Sequence, residues 1–156
     1  MNMIQSAKDQ VLQLTAAAYE KAAAAGVLPA GITVTPAVEI PKDTANGDYT
    51  TTFCLAAAKA MKMNPRQVAQ TLIDNMALEG SYFTSVELAG PGFLNFRLGD
   101  KWYTDTVFGI EAAGDAYGEN DMLAGKKYMV EFVSANPTGP MHMGNARGGV
   151  LGDTLA

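Results

Sequence analysis

Apolar residues recur at helical spacing near the start of the chain. The stripe consists of Ile4, Ala7, Val11, Leu14, Ala18 and Ala22. Because Gly26 follows as a C-terminal stop signal, the pattern predicts a helix from about Ile4 to Ala25. Strand-forming residues come next, between Gly31 and Pro41, but prolines interrupt them. We therefore expect an edge strand there, or two short pieces of strand.

The middle of the chain carries two further helical patterns. Apolar spacing predicts a second helix from Thr51 to Met61. A third helix is expected to begin after Asn64, a favourable N-cap residue, with Pro65 at the first helical position. Its expected buried residues are Val68, Leu72, Ile73 and Met76.

Two alternating segments then predict a β-hairpin. They run from Tyr82 to Leu88 and from Phe93 to Leu98, and a Gly-Pro-Gly turn joins them. The alternating positions are Thr84, Val86 and Leu88 in the first strand and Leu94, Phe96 and Leu98 in the second. A fourth helix is expected from Asp100 to about Ala113. Its expected packing residues are Trp102, Val107 and Ile110.

The region from Gly114 to Gly125 has acidic pairs and glycines without periodicity, which indicates a domain boundary. We expect residues 1–118 to form an α+β domain, an antiparallel sheet with helices. Beyond them, Tyr128 to Val133 is a near-continuous apolar run, typical of a buried parallel strand. A turn and a helix follow it. Residues 119–156 are therefore predicted to begin a Rossmann-like domain with its first βα unit.

Composition places the chain among globular proteins, with 48% hydrophobic and 17% charged residues. No apolar run approaches the roughly 20 residues that span a bilayer, and the N-terminus lacks a signal-peptide pattern. We therefore expect a cytoplasmic protein without a membrane partner. The lone cysteine, Cys54, lies in an apolar stretch and is interpreted as a small core residue, consistent with a reducing compartment.

The formal net charge of −5 argues against strong non-specific binding to nucleic acid, because Lys and Arg supply that attraction. DNA is therefore not an expected partner. Three basic residues still lie close together in sequence, Lys59, Lys62 and Arg66. They form either an ordinary solvated face or a local contact for nucleic acid. One histidine and one cysteine cannot supply a clustered metal site, so no protein-bound metal is expected.

Polar residues accompany the apolar run and follow it. Glu131 lies within the run, where a buried carboxylate is costly unless it is paired. Either the strand is at a sheet edge and Glu131 faces water, or the carboxylate awaits a cationic ligand. His142 precedes a predicted helix start, where unpaired N–H groups and the helix dipole favour phosphate. Its ring could donate to a phosphate oxygen, and Gly144 leaves room for a flat base.

The sequence lacks a Walker loop and a Gly-x-Gly-x-x-Gly run, which argues against generic kinases, GTPases and dehydrogenases. The run from Val130 to Gly148 closely resembles the first nucleotide-binding motif of bacterial arginyl-tRNA synthetases, the HIGH region of the class I enzymes. The motif residues are Ala135, Asn136, Pro137, Thr138, Gly139, Pro140, Met141, His142, Met143, Gly144 and Asn145. Three earlier pieces resemble that family's N-terminal additional domain, namely Gly47-Asp48-Tyr49, Asn64-Pro65-Arg66 and Gly90 to Phe96. The resemblance thus covers essentially the whole chain.

The resemblance implies both an architecture and an activity. Residues 1–118 would be the domain that leans on the outer corner of tRNA near the D-loop, and residues 119–156 the start of the catalytic domain. The parent enzyme would activate arginine with ATP, accompanied by Mg²⁺, to give arginyl-adenylate. It would then transfer arginine to the 3′-terminal adenosine of tRNA(Arg). Its implied substrates and partners are therefore ATP, arginine and tRNA(Arg).

The same resemblance implies roles for single residues. The arginine contacts would be Glu131, Ser134 and Asn136. The ATP contacts would be Gly139, Pro140, His142, Gly144 and Asn145. His142 and Asn145 are the catalytic candidates, with His142 stabilising the phosphates in the transition state. The candidates for contact with tRNA are Lys59, Lys62 and Arg66.

Two departures from the family pattern matter. The motif usually ends His-x-Gly-His, whereas this chain has Asn145, which forms hydrogen bonds but cannot become cationic. The second ATP motif and the helical anticodon-binding domain are absent from these 156 residues. We therefore expect a reading frame that continues beyond Ala156 and no aminoacylation by these residues alone. The alternatives are a small-molecule nucleotidyltransferase with a HIGH-type site and a free-standing RNA-binding module.

Overall fold

A computed structural model of the chain describes residues 2–156, which divide into two compact units after Gly118. In chain order, the N-terminal unit contains α1 (Met3–Ala24), β1 (Val38–Glu39), β2 (Tyr49–Thr51), α2 (Phe53–Met61), α3 (Pro65–Asn75), β3 (Phe83–Ala89), β4 (Phe93–Leu98) and α4 (Asp100–Ala113). Short 3-10 helices span Thr44–Asn46 and Gly114–Ala116. The C-terminal unit, Glu119–Ala156, contains α5 (Met143–Leu155). Within residues 2–156, no helix combines the length and apolar content needed to cross a bilayer.

The four strands of the N-terminal unit form one antiparallel sheet in the order β1-β2-β4-β3. Residues of both β2 and β3 lie opposite Phe96 of β4, so β4 occupies the interior of the sheet. The register of β3 shifts between Phe83 and Ser85. Because of this shift Phe83 is buried while Thr84, predicted to alternate with Val86, is exposed. The predicted α+β class with an antiparallel sheet is confirmed.

Strand β2 is not predicted by the sequence pattern, which starts a helix at Thr51. In the structure Thr51 ends β2, and α2 begins at Phe53. Thr51 is completely buried and its hydroxyl donates to the carbonyl oxygen of Ala37, at 3.0 Å. A strand of three residues contains too little alternation to be distinguished from the start of a helix.

The core lies against one face of the sheet and is covered by α1, α2 and α3. Phe96 is fully buried, and its ring meets that of Phe83 edge to face, with centroids 5.2 Å apart. Tyr49 makes a second edge-to-face contact with Phe83, at 6.0 Å. The helices contribute mostly small and branched side chains, namely Ala7, Val11, Ala18, Ala22, Cys54, Ala57, Val68, Ala69 and Leu72. These small residues let the helices approach one another closely.

Some predicted packing positions are wrong. Ile4 is 50% exposed, and the neighbouring Met3 is buried in its place. Helix α4 meets the core through Trp102 in its first turn, whose indole N–H donates to the carbonyl oxygen of Met3 at 3.1 Å. Farther along α4, Val107 and Ile110 are 61% and 41% exposed because that part of the helix extends past the core.

The predicted strand from Tyr128 to Val133 is also wrong, since the chain has no regular secondary structure there. A strand needs a neighbouring strand to pair its backbone N–H and C=O groups, and the described C-terminal unit contains no other segment in strand conformation. The run instead packs against α5, where Phe132 lies against Gly152 and Val133 against Gly149. A Rossmann-like βα unit is therefore not formed in this structure.

Cys54 is completely buried in α2, which confirms its interpretation as a core residue. Burial raises the pKa of its thiol to about 12, because the thiolate would lose its hydration inside the core. In an unfolded chain, a thiol ionises at about pH 8.5. Between these two values the folded state keeps a proton that the unfolded state releases.

We expect the free energy of unfolding to fall as the pH rises from about 7.5 to about 9.5, because in that range only the unfolded thiol ionises. The contribution of Cys54 to this loss should be about 1 kcal/mol. Urea unfolding of the wild type and of Cys54→Ala at both pH values measures it, since other groups titrate equally in both proteins. Equal losses in the two proteins would contradict the raised pKa.

Gly47 forms the turn into β2 with a φ of +89°, in the left-handed region. A Cβ atom at this position would lie 2.7 Å from the carbonyl oxygen of Phe96. The next residue, Asp48, donates its N–H to the same oxygen at 2.8 Å. Its carboxylate accepts the N–H of Leu98, also at 2.8 Å. The turn therefore requires both a positive φ and the absence of a side chain.

Gly47→Ala should lower the free energy of unfolding by about 2–5 kcal/mol. The left-handed backbone contributes about 1–2 kcal/mol, and crowding against Phe96 about 1–3 kcal/mol. Gly26→Ala is the matched control, because Gly26 has a φ of +72° but a Cβ atom added there would have no neighbouring atom within 4 Å. Urea denaturation compares the two variants. If both variants lose a similar free energy of unfolding, crowding of the added Cβ against Phe96 contributes nothing to the destabilisation.

Candidate functional site

A polar cavity of about 510 Å³ lies over the loop that precedes α5, and we call it the loop cavity. Its lining consists of Ser134, Ala135, Asn136, Thr138, Gly139, Pro140, Met141, His142 and Asn145. Most of the site residues predicted for the C-terminal unit are thus brought together around one cavity. Glu131 and Gly144 are not part of this lining, although each contacts a residue that is.

The start of α5 is closed by two reciprocal hydrogen bonds. His142 is the N-cap, and its Nδ1 accepts the backbone N–H of Gly144 at 3.1 Å. The side-chain oxygen of Asn145 accepts the backbone N–H of His142, also at 3.1 Å. A Cβ atom at Gly144 would lie 2.9 Å from Cε1 of His142, so glycine lets the imidazole lie over the first turn. The positive end of the helix dipole is thus next to the loop cavity, where it favours an anion.

Glu131 is exposed, in agreement with the alternative in which its carboxylate faces water, although the chain forms no strand there. Its carboxylate accepts a hydrogen bond from the hydroxyl of Ser134, which lines the loop cavity. Between them Val133 has a φ of +57°, unusual for a β-branched residue, and the chain turns there. The turn places an acidic group and the polar loop side by side, an arrangement suited to a cationic ligand.

A second, mainly apolar hollow of about 650 Å³ also lies at the helix start. Its lining consists of Val133, Met141, His142, Met143, Asn145, Ala146 and Gly149. Met141, His142 and Asn145 line both spaces. The polar loop cavity suits charged groups and the hollow suits a flat apolar ring. Among residues 2–156, no group of three or more His, Cys, Asp or Glu side chains is placed to hold a metal ion.

The predicted basic residues lie where two helices of the N-terminal unit meet, and we call Lys59, Lys62 and Arg66 the basic patch. Lys59 is in the last turn of α2, and Lys62 ends that helix with a φ of +53°. Arg66 is in the first turn of α3, where its backbone N–H donates to the side chain of Asn64 at 2.9 Å. This contact confirms Asn64 as the N-cap. All three basic side chains are exposed, and the guanidinium of Arg66 donates to the carbonyl oxygen of Gly90.

Beside Gly90, a cavity of about 300 Å³ lies on the outer face of the sheet, and we call it the sheet cavity. Its lining consists of Pro41, Asn46, Thr50, Ala89, Gly90, Pro91, Phe93 and Asn95. Thr50 contributes a buried hydroxyl oxygen that has no hydrogen-bond partner within residues 2–156. Arg97 donates to the carbonyl oxygen of Ala45 at 2.7 Å. Arg66 thus contacts a residue of the lining, Gly90, and Arg97 contacts Ala45, which adjoins the lining residue Asn46.

The sheet cavity is not among the predicted sites, although the sequence of β4 carries a signal for it. Alternation in β4 places Leu94 and Phe96 in the core, so Phe93, Asn95 and Arg97 occupy the opposite face. Asn95 is only 8% exposed, which is unusual for an amide on a face turned away from the core. An aromatic, an amide and a guanidinium at alternate positions of one strand are the signal in the sequence for this polar outer face.

Similarity to known proteins extends over the whole chain. Residues 9–98 match the family described as arginyl tRNA synthetase N terminal domain. The arginine–tRNA ligase of Acetivibrio thermocellus is 45% identical over 155 residues, which is 99% of this chain and 28% of that protein. The same enzymes of Caldanaerobacter subterraneus subsp. tengcongensis and Staphylococcus aureus are 43% and 38% identical, over 99% and 100% of this chain. The chain spans about 28% of the length of these relatives.

Two solved structures resemble the fold. Arginyl-tRNA synthetase from Thermus thermophilus matches with a TM-score of 0.50 and 21% identity, over 96% of this chain and 22% of that one. The enzyme from Plasmodium falciparum matches with a TM-score of 0.53 and 16% identity, over 95% of this chain and 27% of that one. At these identities the likeness concerns the fold alone, whereas the family match and the curated relatives concern the sequence. The chain belongs to the arginyl-tRNA synthetase family, whose N-terminal domain it carries over residues 9–98.

Proposed function

We propose that this chain is the N-terminal part of an arginine–tRNA ligase, which activates arginine with ATP and transfers it to tRNA(Arg). The similarity to curated arginine–tRNA ligases over 99% of the chain is the observation that carries this proposal. The loop cavity at the start of α5 supplies a chemical basis for it. We place the enzyme in the cytoplasm, where tRNA is charged for translation.

In the proposed reaction, the arginine carboxylate attacks the α-phosphate of ATP and pyrophosphate leaves, giving arginyl-adenylate. Catalysis of this step depends on positioning the reactants and on stabilising charge that develops on the phosphates. The imidazole of His142 and the positive end of the α5 helix dipole would supply that stabilisation, with Gly139 and Pro140 shaping the phosphate loop. Gly144 would leave space for the adenosine. Mg²⁺ would enter with the nucleotide.

Glu131, Ser134 and Asn136 would bind the arginine substrate. A guanidinium or ammonium group forms strong, charge-assisted hydrogen bonds with a carboxylate. The hydroxyl of Ser134 already holds one oxygen of Glu131, which fixes the carboxylate while leaving its second oxygen for the ligand. Asn136 lines the loop cavity nearby and offers both a donor and an acceptor.

Residues 119–156 would begin the Rossmann-like catalytic domain. Two observations support this assignment: the packing of Phe132 on Gly152, and the exposure of Tyr128, Met129 and Val130. In a doubly wound fold, a helix packs on its preceding strand in this manner while neighbouring strands cover the strand edges. The apolar run would become a strand when a longer chain supplies such a neighbour.

Residues 1–118 would contact the outer corner of tRNA(Arg). The basic patch offers charge for phosphates, and the adjoining sheet cavity offers an aromatic face at Phe93 with hydrogen-bonding groups at Thr50 and Asn95. An unstacked base is recognised by such a combination of stacking and edge contacts. The net charge of −5 keeps non-specific attraction small, so contact would depend on these local groups.

A chimera tests the proposed function. Residues 1–156 of this chain replace the matching part of the Acetivibrio thermocellus enzyme, to which they are 45% identical over 155 residues. We expect the chimera to attach arginine to tRNA(Arg) in the presence of ATP, and the 156-residue chain alone to be inactive. A folded chimera without activity, or an active chain alone, would contradict the proposal.

In this chimera, Glu131→Gln should raise the KM for arginine roughly 10- to 100-fold, because a hydrogen bond to a charged group is lost. The KM for ATP should stay within about twofold of the parent chimera, since Glu131 is assigned to arginine alone. Glu119→Gln removes an exposed carboxylate of the same unit and serves as the control. Equal effects of the two substitutions on the KM for arginine would overturn the role of Glu131.

The basic patch is tested by tRNA binding to the 156-residue chain at about 50 mM salt, where phosphate contacts are strong. Lys59→Gln combined with Lys62→Gln should weaken binding roughly 3- to 10-fold and reduce the salt dependence by about 1.5 in log–log slope. The control is Lys126→Gln with Lys127→Gln, which changes the net charge equally at two exposed lysines of the other unit. If both pairs weaken binding alike, overall charge rather than the patch determines affinity.

A further inference from the structure

The hydrogen bonds at the start of α5 determine which nitrogen of His142 carries the proton. Nδ1 accepts the backbone N–H of Gly144, at 3.1 Å. A ring nitrogen that accepts a hydrogen bond is unprotonated, so the neutral imidazole carries its proton on Nε2. Nε2–H is then the hydrogen-bond donor of the ring, and His142 lines the loop cavity.

Two neighbouring residues hold the ring in this state. Gly144 has no side chain, and a Cβ atom there would lie 2.9 Å from Cε1 and 3.0 Å from Nδ1 of His142. Asn145 acts on the backbone, because its side-chain oxygen accepts the N–H of His142 at 3.1 Å. That bond fixes the extended N-cap conformation of His142, with φ −100° and ψ 173°, from which Nδ1 can reach the N–H of Gly144.

We propose that Asn145 is a positioning residue that holds His142 in the tautomer with the proton on Nε2. The side-chain oxygen of Asn145 is used in the cap, so this residue acts through His142 and not by lending that oxygen to a ligand. An Nε2–H that is fixed before ATP binds would donate to a phosphate oxygen, and this consequence of the tautomer rests on the proposed function. The tautomer itself depends only on the helix start.

Nuclear magnetic resonance of the imidazole nitrogens tests the proposal without any ligand. The chain has one histidine, so a long-range ¹H–¹⁵N correlation spectrum of the ¹⁵N-labelled 156-residue protein reports His142 alone. At alkaline pH, where an imidazole is neutral, we expect Nε2 at the position of a protonated nitrogen and Nδ1 at that of an acceptor. A wild-type spectrum with the proton on Nδ1 would overturn the proposal.

Substitutions at position 145 test whether the acceptor oxygen of Asn145 is what fixes the tautomer of His142. Asn145→Ala removes the acceptor, and we expect the two nitrogen signals to move toward each other as both tautomers become populated. Asn145→Asp keeps an oxygen acceptor at the same position and should preserve the wild-type pattern. Thr154→Ala, which removes a hydroxyl bonded to Val150 in the last turn of α5, is the control and should also preserve it. An unchanged pattern in Asn145→Ala would overturn the role of Asn145.

Gly144→Ala distinguishes positioning from simple loss of the helix. Alanine is a better helix former than glycine, so the helical circular dichroism of this variant should equal or exceed that of the wild type. The added Cβ displaces the ring, and the tautomer should nevertheless become mixed. A wild-type nitrogen pattern in Gly144→Ala would contradict the close packing of ring and glycine. None of these measurements uses ATP, so an inactive chimera with an intact tautomer would count against the proposed function only.

Discussion

The burial of Phe96 determines how the N-terminal unit is built. Its side chain is the largest that is fully buried in the described part of the chain, and its carbonyl oxygen accepts the N–H of Asp48 at the turn into β2. Burial of the ring fixes which face of β4 is turned toward the core. The hydrogen bond to the carbonyl fixes where β2 begins to pair with β4. Because side chains alternate along a strand, Phe93, Asn95 and Arg97 must then lie on the outer face. The sheet cavity is therefore a consequence of the core.

The C-terminal unit is ordered by a different kind of interaction. Gly152 is its one buried residue among those described, and Val150, Leu151 and Leu155 of α5 are more than half exposed. What fixes the loop cavity is a set of hydrogen bonds between residues two and three positions apart, at the start of α5. Such bonds need no hydrophobic core, since they satisfy backbone groups that a helix end leaves unpaired. The polar half of the candidate site can thus form from a short segment.

The difference between core packing and local hydrogen bonds explains which features could be predicted from the sequence. Asn64 and Pro65 mark the start of α3 because a cap depends on the residues beside it. The strand expected at Tyr128 to Val133 depends on a neighbouring strand, and no local pattern can supply one. The exposure of Val107 likewise follows from where the core ends and not from helical periodicity. The loop residues around His142 could be named from sequence, whereas the sheet cavity required the register between β2 and β4.

Glu131 belongs to the features that depend on neighbouring strands, and this affects the proposed binding of arginine. Its carboxylate is exposed and bonded to Ser134, so nothing in the described chain desolvates it. A charge pair in water is weak, whereas one with low-dielectric walls is strong and selective. Neighbouring strands would provide those walls on both sides of the apolar run. The phosphate side of the proposed site would therefore be formed in advance by local hydrogen bonds. The proposed arginine side would gain its affinity only when neighbouring strands surround Glu131.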